Sequence, residues 1–202
     1  SYLAMHIASE THELSCLLTI NSSNPDSWMF HTPAIEWTKL QSQSLKIPQI
    51  IQNTKGVQDK ELDDLFELID KGKNQFSIEG VVTGALASTY QSTRIQKICN
   101  DLNLWCFNPL WQMSQKTLLE ELLENNIESI ITGVAAEPFD DEWLGREINL
   151  ECINDLIKLK ESHRINPAGE GGEIETFVVN APLFNSRLDI IQSKIHYSNY
   201  SG

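Results

Sequence analysis

Ile78–Phe107, "IEGVVTGALASTYQSTRIQKICNDLNLWCF", holds the pattern on which the fold depends. The apolar run Ile78–Leu86 is typical of a buried strand and ends in a glycine turn. Ser88–Leu102 has apolar residues at helical spacing, and a short apolar run, Leu104–Phe107, follows it. The segment therefore predicts a strand, a helix and a second strand, and a helical connection of this length lets the two strands run parallel.

The same alternation extends in both directions along the chain. Short apolar runs predict further strands, and amphipathic runs predict the helices between them. The predicted strands are Leu14–Ile20, Ser129–Ala135, Glu175–Pro182 and Leu188–Tyr197, and the predicted helices are Ser1–Ser9, Asp59–Asp70, Ser114–Asn126 and Arg146–Ser162.

Strands that alternate with helices predict an α/β fold with a mostly parallel sheet flanked by helices. In such sheets ligands bind at the carboxyl ends of the strands, which directs attention to the turns after Ile20, Val82 and Val134. Pro109–Trp111 is the predicted boundary between residues 1–110 and a smaller α/β half, residues 111–202. Because the chain opens directly on a helix, we expect a strand and a loop to precede that helix in the complete protein.

The charge balance disfavours one class of function. The 202 residues carry a formal net charge of -13, whereas general nucleic-acid binders need Lys and Arg for phosphate contacts. Binding to nucleic acid is therefore not expected. No uninterrupted apolar run reaches the length of about 18 residues that a membrane span needs, so no membrane contact is expected either.

The four cysteines include no C-x-x-C pair, and each lies in an apolar or helical pattern. We interpret them as reduced, mostly buried thiols of a cytoplasmic protein, with disulfides or a zinc site as the alternatives. The five histidines show no metal-ligand spacing, so no protein-bound metal site is predicted. The cysteines are Cys16, Cys99, Cys106 and Cys152.

Gly84–Arg94, "GALASTYQSTR", follows a predicted strand and opens a helix. Free N–H groups and the positive end of the helix dipole suit an anion there, and Arg94 could reach a phosphate or carboxylate. The structural alternative is an ordinary capped helix, because Ser88 and Gln91 fit the S-x-x-Q capping box.

Two other loops combine features of a binding site with simple structural explanations. Ser27–Pro33, "SWMFHTP", could line a purine pocket or form an apolar lid on the core. Asp140–Glu147, "DDEWLGRE", could bind a carboxylate through Arg146, or its acids could simply favour a helix N-terminus.

Asn166–Thr176, "NPAGEGGEIET", combines three acids and three glycines directly before an apolar strand. Glycines let a backbone approach a ligand closely, whereas carboxylates repel anions. A turn accounts for glycines and solvation accounts for acids, but neither accounts for both at this place. The pattern therefore favours a functional loop over an ordinary surface turn.

Together these motifs resemble the diphthine–ammonia ligase family, a branch of the N-type ATP pyrophosphatases. The resemblance covers nearly the whole chain, and its most specific part is E-G-G-E-x-E-T followed by a strand and P-L-F. The matching stretches are Met29–Pro48, Gly80–Trp111, Gly133–Ile148 and Asn166–Phe184.

The resemblance implies a Rossmann-like fold of the adenine nucleotide alpha hydrolase (HUP) type. It also implies that residues 1–110 bind ATP and that residues 111–202 bind the substrate. Family members begin with a strand and a pyrophosphate loop of the form S-G-G-K-D-S. Ser1 corresponds to the last serine of that loop, so the rest of the loop is expected to precede this chain. Two departures, Ala168 for Cys and Ile174 for Tyr, indicate that neither position supplies a required reactive group.

The resemblance also implies roles for particular residues. Those expected in catalysis are Arg94, Glu170 and Glu173. Those expected to bind the nucleotide are Ser1, Met29, Phe30, His31, Gly84 and Ser88. Those expected to bind the substrate are Tyr90, Gln91, Gly145, Arg146, Gly171, Gly172, Glu175 and Thr176. Trp111 and Trp143 are candidates for contact with a trimethylammonium group, with packing as their alternative role.

The implied reaction is ATP-dependent amidation of diphthine on translation elongation factor 2. ATP, Mg²⁺ and ammonium are the implied small molecules, and a homodimer is an assembly consistent with these expectations. Two alternatives stay open: another N-type ATP pyrophosphatase that modifies a tRNA base, and a non-catalytic nucleotide-binding module.

Overall fold

The chain divides into two compact units, Ser1–Trp111 and Gln112–Gly202, which are described separately below. The computed structural model describes residues 1–24, 30, 33–57, 60–198 and 201. Within these ranges no helix is long and apolar enough to cross a membrane.

The first unit contains two pairs of parallel strands. β1 pairs with β2 in a continuous register from Leu17↔Gln49 to Ser22↔Thr54, and β3 pairs with β4 from Gly80↔Trp105 to Val82↔Phe107. A 3-10 turn, Ile35–Trp37, precedes α2. The bounds are α1 Tyr2–Ser9, β1 Leu17–Ser22, α2 Thr38–Leu45, β2 Gln49–Thr54, α3 Lys60–Phe76, β3 Gly80–Val82, α4 Thr89–Asp101 and β4 Trp105–Phe107.

Burial of the inner faces of α3 and α4 forms the core of the first unit. Leu68 and Ile69 of α3 are 1 % exposed, and Cys99 of α4 is fully buried. They pack with Ile20 of β1, and Phe30 lies partly buried against the same cluster. The core therefore fixes the strands whose carboxyl ends carry the polar residues discussed below.

The second unit is built on an antiparallel pair. β5 and β6 pair from Glu128↔Asn180 to Val134↔Ile174, with irregularities in the register. Residues 145–148 run along the other edge of β5, where Ile131 donates to the Arg146 carbonyl over 2.9 Å. A 3-10 turn covers Asp141–Trp143. The bounds are α5 Gln115–Glu124, β5 Glu128–Val134, α6 Leu150–His163 and β6 Ile174–Asn180.

The mixed α/β architecture and the parallel pairing in the first half are confirmed, but the sheet prediction needs correction. The described strands form three separate two-stranded ladders. The last ladder is antiparallel because β6 begins beside the end of β5: Ala135 donates to the Glu173 carbonyl over 3.0 Å. After α6 the chain therefore enters the ladder beside the end of β5. A parallel crossover would require it to enter beside the start of β5.

Three further differences concern individual elements. The predicted strand Leu188–Tyr197 is wrong, because none of its residues belongs to a strand. α2 and β2 were not predicted, and the strand predicted at Leu14–Ile20 lies instead at Leu17–Ser22. β3 ends at Val82, well short of the predicted Leu86, and the chain bends at Leu86 and Ala87 before α4 begins.

All four cysteines are free thiols, as predicted. Cys99 and Cys152 are fully buried, and Cys16 and Cys106 are half-buried. Burial raises the pKa of Cys152 to about 11. A hydrogen bond between Cys99 and Cys106 raises the pKa of Cys99 and lowers that of Cys106.

Candidate functional site

The glycine turn after β3 lies against the first residue of the chain. A Cβ atom at Gly84 would stand 2.9 Å from both the N and Cα atoms of Ser1. Only glycine permits this approach, because both of the nearest atoms belong to the backbone. The structure thus brings together two of the residues predicted to bind the nucleotide.

Hydrogen bonds also join the residues that follow β3 and β4, at the carboxyl ends of these two strands. The Thr83 amide donates to the Phe107 carbonyl over 3.0 Å, which continues the strand pairing by one residue. The Thr83 hydroxyl donates to the Asn108 side-chain oxygen. Neither Thr83 nor Asn108 was predicted as a site residue, although Thr83 directly follows Val82, after which a turn of interest was predicted, and Asn108 directly follows the predicted strand Leu104–Phe107.

Ser88 begins α4 as its N-cap. Its side-chain oxygen accepts a hydrogen bond from the Gln91 amide over 3.3 Å. This confirms the predicted cap and leaves the first turn of α4 at the same end of the unit as the Gly84 turn. Capping and anion binding use different N–H groups of a helix N-terminus, so both roles can coexist.

Arg94 folds back along α4 onto Tyr90. Its Nη1 donates to the Tyr90 carbonyl over 3.1 Å, and its guanidinium carbon lies 3.4 Å from the centre of the Tyr90 ring. The Nε–H group of Arg94 is buried and makes no hydrogen bond within the described part of the chain. Arg94 therefore keeps one donor unsatisfied beside the residues predicted to face the nucleotide or substrate.

An open polar cleft of about 380 Å³ lies at the carboxyl ends of β1 and β2. The Asn21 and Asn53 side chains bond to one another across the strand pair over 3.0 Å. The turn after Ile20 was predicted to be of interest, but the residues of the second strand were missed because β2 itself was not predicted. The cleft is lined by Asn21, Ser22, Ser23, Asn53, Thr54 and Lys55.

The aromatic loop predicted to border the adenine, Ser27–Pro33, is described only at Phe30 and Pro33. Met29 and His31 lie outside the described residues. Phe30 is partly buried against the core of the first unit, beside the same β1 that carries the cleft. Its contact with a nucleotide stays a prediction.

In the second unit, the acidic loop is organised around the Glu173 carboxylate. One carboxylate oxygen accepts from the Asn166 amide over 3.0 Å and from the Asn166 side chain over 2.7 Å. The other oxygen accepts from the Gly171 amide over 2.9 Å. The loop itself therefore supplies three donors to Glu173, which gives this residue a structural role that its sequence position alone did not indicate.

Glycine is required at several points of this loop. Gly169 and Gly172 have φ angles of +74° and +82°, which disfavour other residues. A Cβ atom at Gly171 would stand 2.7 Å from a Glu173 carboxylate oxygen and 2.8 Å from the Asn166 side-chain nitrogen. The glycines thus let the backbone wrap closely around Glu173, while Glu170 lies half-buried in the same loop.

Gly145, Arg146, Glu175 and Thr176 lie on the two sides of β5. Thr176 is the β6 partner of Ile131, and Glu175 is the partner of Gly133. On the opposite edge, the Gly145 amide donates to the Ile131 carbonyl over 2.8 Å. Four of the predicted substrate-binding residues therefore occupy neighbouring positions across one small sheet.

The Arg146 side chain is engaged in an ion pair. Its Nη2 lies 2.6 Å from Asp155, and its guanidinium carbon lies 4.6 Å from the centre of the Trp143 ring. Hydrogen bonds from Arg146 and Lys158 lower the pKa of Asp155, and the bond to Asp155 raises the pKa of Arg146. Trp143 also packs edge-on against the buried Phe139, so packing accounts for its position.

A protein-bound metal site was not predicted, and no group of three or more His, Cys, Asp or Glu side chains suited to a metal ion occurs in the described ranges. The Glu173 oxygens already accept hydrogen bonds from the loop.

Comparisons with known proteins cover both units. Residues 1–105 match the model of the diphthamide synthase N-terminal domain, and residues 114–202 match that of the C-terminal domain. The diphthine–ammonia ligase of Rattus norvegicus is 32% identical over 96% of this chain and 80% of its own length. That of Homo sapiens is 31% identical over 87% and 70%, respectively. The Saccharomyces cerevisiae ligase is 30% identical over 91% of this chain, which spans 31% of the yeast protein.

Proposed function

This chain belongs to the diphthamide synthase family, and from that premise we propose that it converts diphthine on translation elongation factor 2 to diphthamide, using ATP and ammonia. The observation that carries the proposal is the match to both family domains, in order, along one chain. In this proposal the Gly84 turn belongs to the nucleotide site, and the acidic loop belongs to the amidation site.

The chemistry requires activation of a carboxylate, because a carboxylate is a poor electrophile towards ammonia. In the proposed first step, a diphthine carboxylate oxygen bonds to the α-phosphorus of ATP, and the bond to pyrophosphate breaks. In the second step, ammonia bonds to the acyl carbon, AMP leaves, and the nitrogen gives up a proton to a base. The protein accelerates both steps mainly by positioning and by stabilising charge.

The first unit is the proposed nucleotide side. The Ser1–Gly84 contact marks a place where backbone N–H groups can approach phosphate oxygens. The first turn of α4, capped by Ser88, adds its dipole to this end of the unit. The polar cleft at the ends of β1 and β2 suits the hydroxyl groups and polar base edge of a nucleoside. These features support assignment to the adenine nucleotide alpha hydrolase type of fold.

Arg94 is proposed to stabilise the negative charge that develops during adenylation. Its buried Nε–H makes no hydrogen bond within the part of the chain that the structure describes, so an anion could accept from it without breaking an existing bond. Tyr90 holds the guanidinium group in place, and Gln91 lies on the same helix. Mg²⁺ would be carried by the ATP phosphates, as is usual for nucleotide enzymes, and would supply positive charge there.

The second unit is the proposed amidation side. Glu170 would attract ammonium and accept the proton lost as ammonia attacks. Glu173 would act by holding the loop, since its oxygens already accept three N–H groups. Gly171 and Gly172 would let the substrate approach the backbone, and the residues flanking β5, Gly145, Arg146, Glu175 and Thr176, would bind the protein substrate around the modified histidine.

The test is incubation of the protein with diphthine-modified elongation factor 2, MgATP and ammonium, read by mass spectrometry of the modified peptide. The expected result is conversion of the carboxylate to the amide, with one AMP formed per amide and no conversion without ATP. AMP formation without amide, or amide formation with ADP as the product, would each contradict the proposed route.

A further inference from the structure

Gln115, the first residue of α5, joins this helix to the acidic loop. Its side-chain nitrogen donates to the Asn166 side-chain oxygen over 2.9 Å, and its side-chain oxygen accepts from the Ala168 amide over 3.1 Å. Gln115 is half-buried. Ser114 sets the start of the helix, because its side chain accepts from the Thr117 amide over 3.0 Å.

These contacts form a continuous chain of hydrogen bonds, here called the Gln115 bridge: Ala168 amide to Gln115, Gln115 to Asn166, and Asn166 to Glu173. A backbone N–H, which can only donate, stands at one end. A carboxylate, which accepts at both oxygens, stands at the other. The orientation of both side-chain amides is therefore fixed, and each uses one donor and one acceptor in the bridge.

We propose that Gln115 is a positioning residue that holds the acidic loop, and with it Glu170, in the geometry that binds the amine substrate. The inference rests on the proposed function. Glu173 and the glycines shape the loop from within, but the bridge is the side-chain connection that ties its first residues to a helix. Pro167, which lies between the two bridged residues Asn166 and Ala168, is fully buried and completes the anchor.

Gln115→Glu tests this inference because it changes hydrogen-bonding capacity with almost no change in shape. The new carboxylate would still accept from the Ala168 amide, but its second oxygen would face the Asn166 side-chain oxygen. Asn166 cannot turn around without presenting an acceptor to Glu173. The bridge therefore breaks whichever way the amide points.

The matched control is Gln112→Glu, the same substitution at an exposed residue three positions earlier. Gln115→Ala is the second variant; it removes both bonds without adding charge. Hydrogen–deuterium exchange should accelerate about tenfold at the Ala168 and Gly171 amides in both Gln115 variants and stay unchanged in the control. The β6 amides should retain their protection.

Kinetics separates positioning from a merely structural role. In both Gln115 variants the KM for ammonium should rise about tenfold, while the KM for ATP and the rate of AMP formation change less than about twofold. Unchanged exchange at Ala168 would overturn the bridge. Faster exchange with an unchanged ammonium KM would overturn the positioning role. A wild-type protein that forms no amide would instead contradict the proposed function. Faster exchange at the Ala168 and Gly171 amides of the Gln115 variants would then show that the bridge only stabilises the loop.

Discussion

The two candidate regions differ in how completely their polar groups are satisfied. In the acidic loop of the second unit, Glu173 accepts three hydrogen bonds from the loop, and Gln115 anchors that loop to α5. In the first unit, the buried Nε–H of Arg94 on α4 makes no hydrogen bond within the described ranges, and an open cleft adjoins β1 and β2. The loop thus satisfies the Glu173 carboxylate with its own donors, whereas the Arg94 Nε–H and the cleft offer groups that a ligand can complete.

Under the proposed function, this difference suits a division of labour in which the first unit binds the nucleotide and the second unit binds ammonia. A preassembled loop can orient a small amine without paying for its own ordering at the time of binding. An arginine with an unused N–H donor, such as Arg94, gains a hydrogen bond when an anionic nucleotide binds. The predictions below test the two regions separately, beginning with the largest expected effect.

Gly84→Ala should cause the largest loss. The new Cβ would stand 2.9 Å from Ser1 backbone atoms, so the turn or the first residue must move. We expect AMP formation to fall about 100-fold, equivalent to about 2.7 kcal/mol, with little change in the melting temperature. The control is Gly72→Ala in α3, where the three atoms nearest to the new Cβ belong to the side chains of Leu18 and Ile78, at 3.1 Å or more. Equal activity in the two variants would remove the Gly84 turn from the nucleotide site.

Glu173→Gln should destabilise the second unit. The substitution places an NH₂ group against an N–H donor of Asn166 or Gly171, at a cost of about 1–3 kcal/mol. For a chain of this size the melting temperature should fall by about 5 °C, as measured by thermal unfolding. Glu161→Gln, on the exposed surface of α6, should leave it unchanged. A Glu173→Gln variant as stable as the wild type would show that the loop does not depend on this carboxylate.

Ser88→Ala and Ser114→Ala compare helix caps in the two units. Each serine accepts one bond from the first turn of its helix, at 3.3 Å and 3.0 Å respectively, so each substitution should cost about 1 kcal/mol of unfolding free energy. Because only α4 lies at the proposed nucleotide side, only Ser88→Ala should also raise the KM for ATP. An equal rise in the KM for ATP in both variants would show that the rise follows from lost stability and not from a nucleotide site at α4.

The Arg146–Asp155 pair should give the smallest effect, and one that depends on pH. Since Arg146 lowers the pKa of Asp155 in the folded state, the pair's contribution to stability is full above the unfolded pKa, near 4, and disappears as the pH falls through the folded value. Asp155→Asn should therefore lower the melting temperature slightly at pH 7, and the difference from the wild type should shrink as the pH falls below about 4. A difference that grows at acidic pH would have the wrong sign for this ion pair.

Local sequence patterns predicted the central segment of the first unit well. The run Ile78–Phe107 forms a strand, a capped helix and a strand as predicted, because propensity, capping and burial agree there. β2 was missed because "QIIQNT" is short and mostly polar, and it becomes a strand only through pairing with β1.

The errors in the second unit arise from tertiary contacts that spacing does not reveal. The isoleucines of the tail suggested a strand, yet Ile191 is 97% exposed and Ile190 55% exposed. The direction of β6 depends on where the acidic loop meets the end of β5, through the bond from Ala135 to Glu173. The sequence identified the loop by its acids and glycines, but not which glutamate the loop itself would bind, nor the remote Gln115.

The most direct test of the division of labour is Glu170→Gln assayed for both half-reactions. The variant should retain pyrophosphate exchange into ATP in the presence of diphthine-modified elongation factor 2, within about twofold of the wild type. Its rate of amide formation should fall about 100-fold, as expected for removal of a general base. Wild-type rates of amide formation, or an equal loss in both half-reactions, would contradict the account.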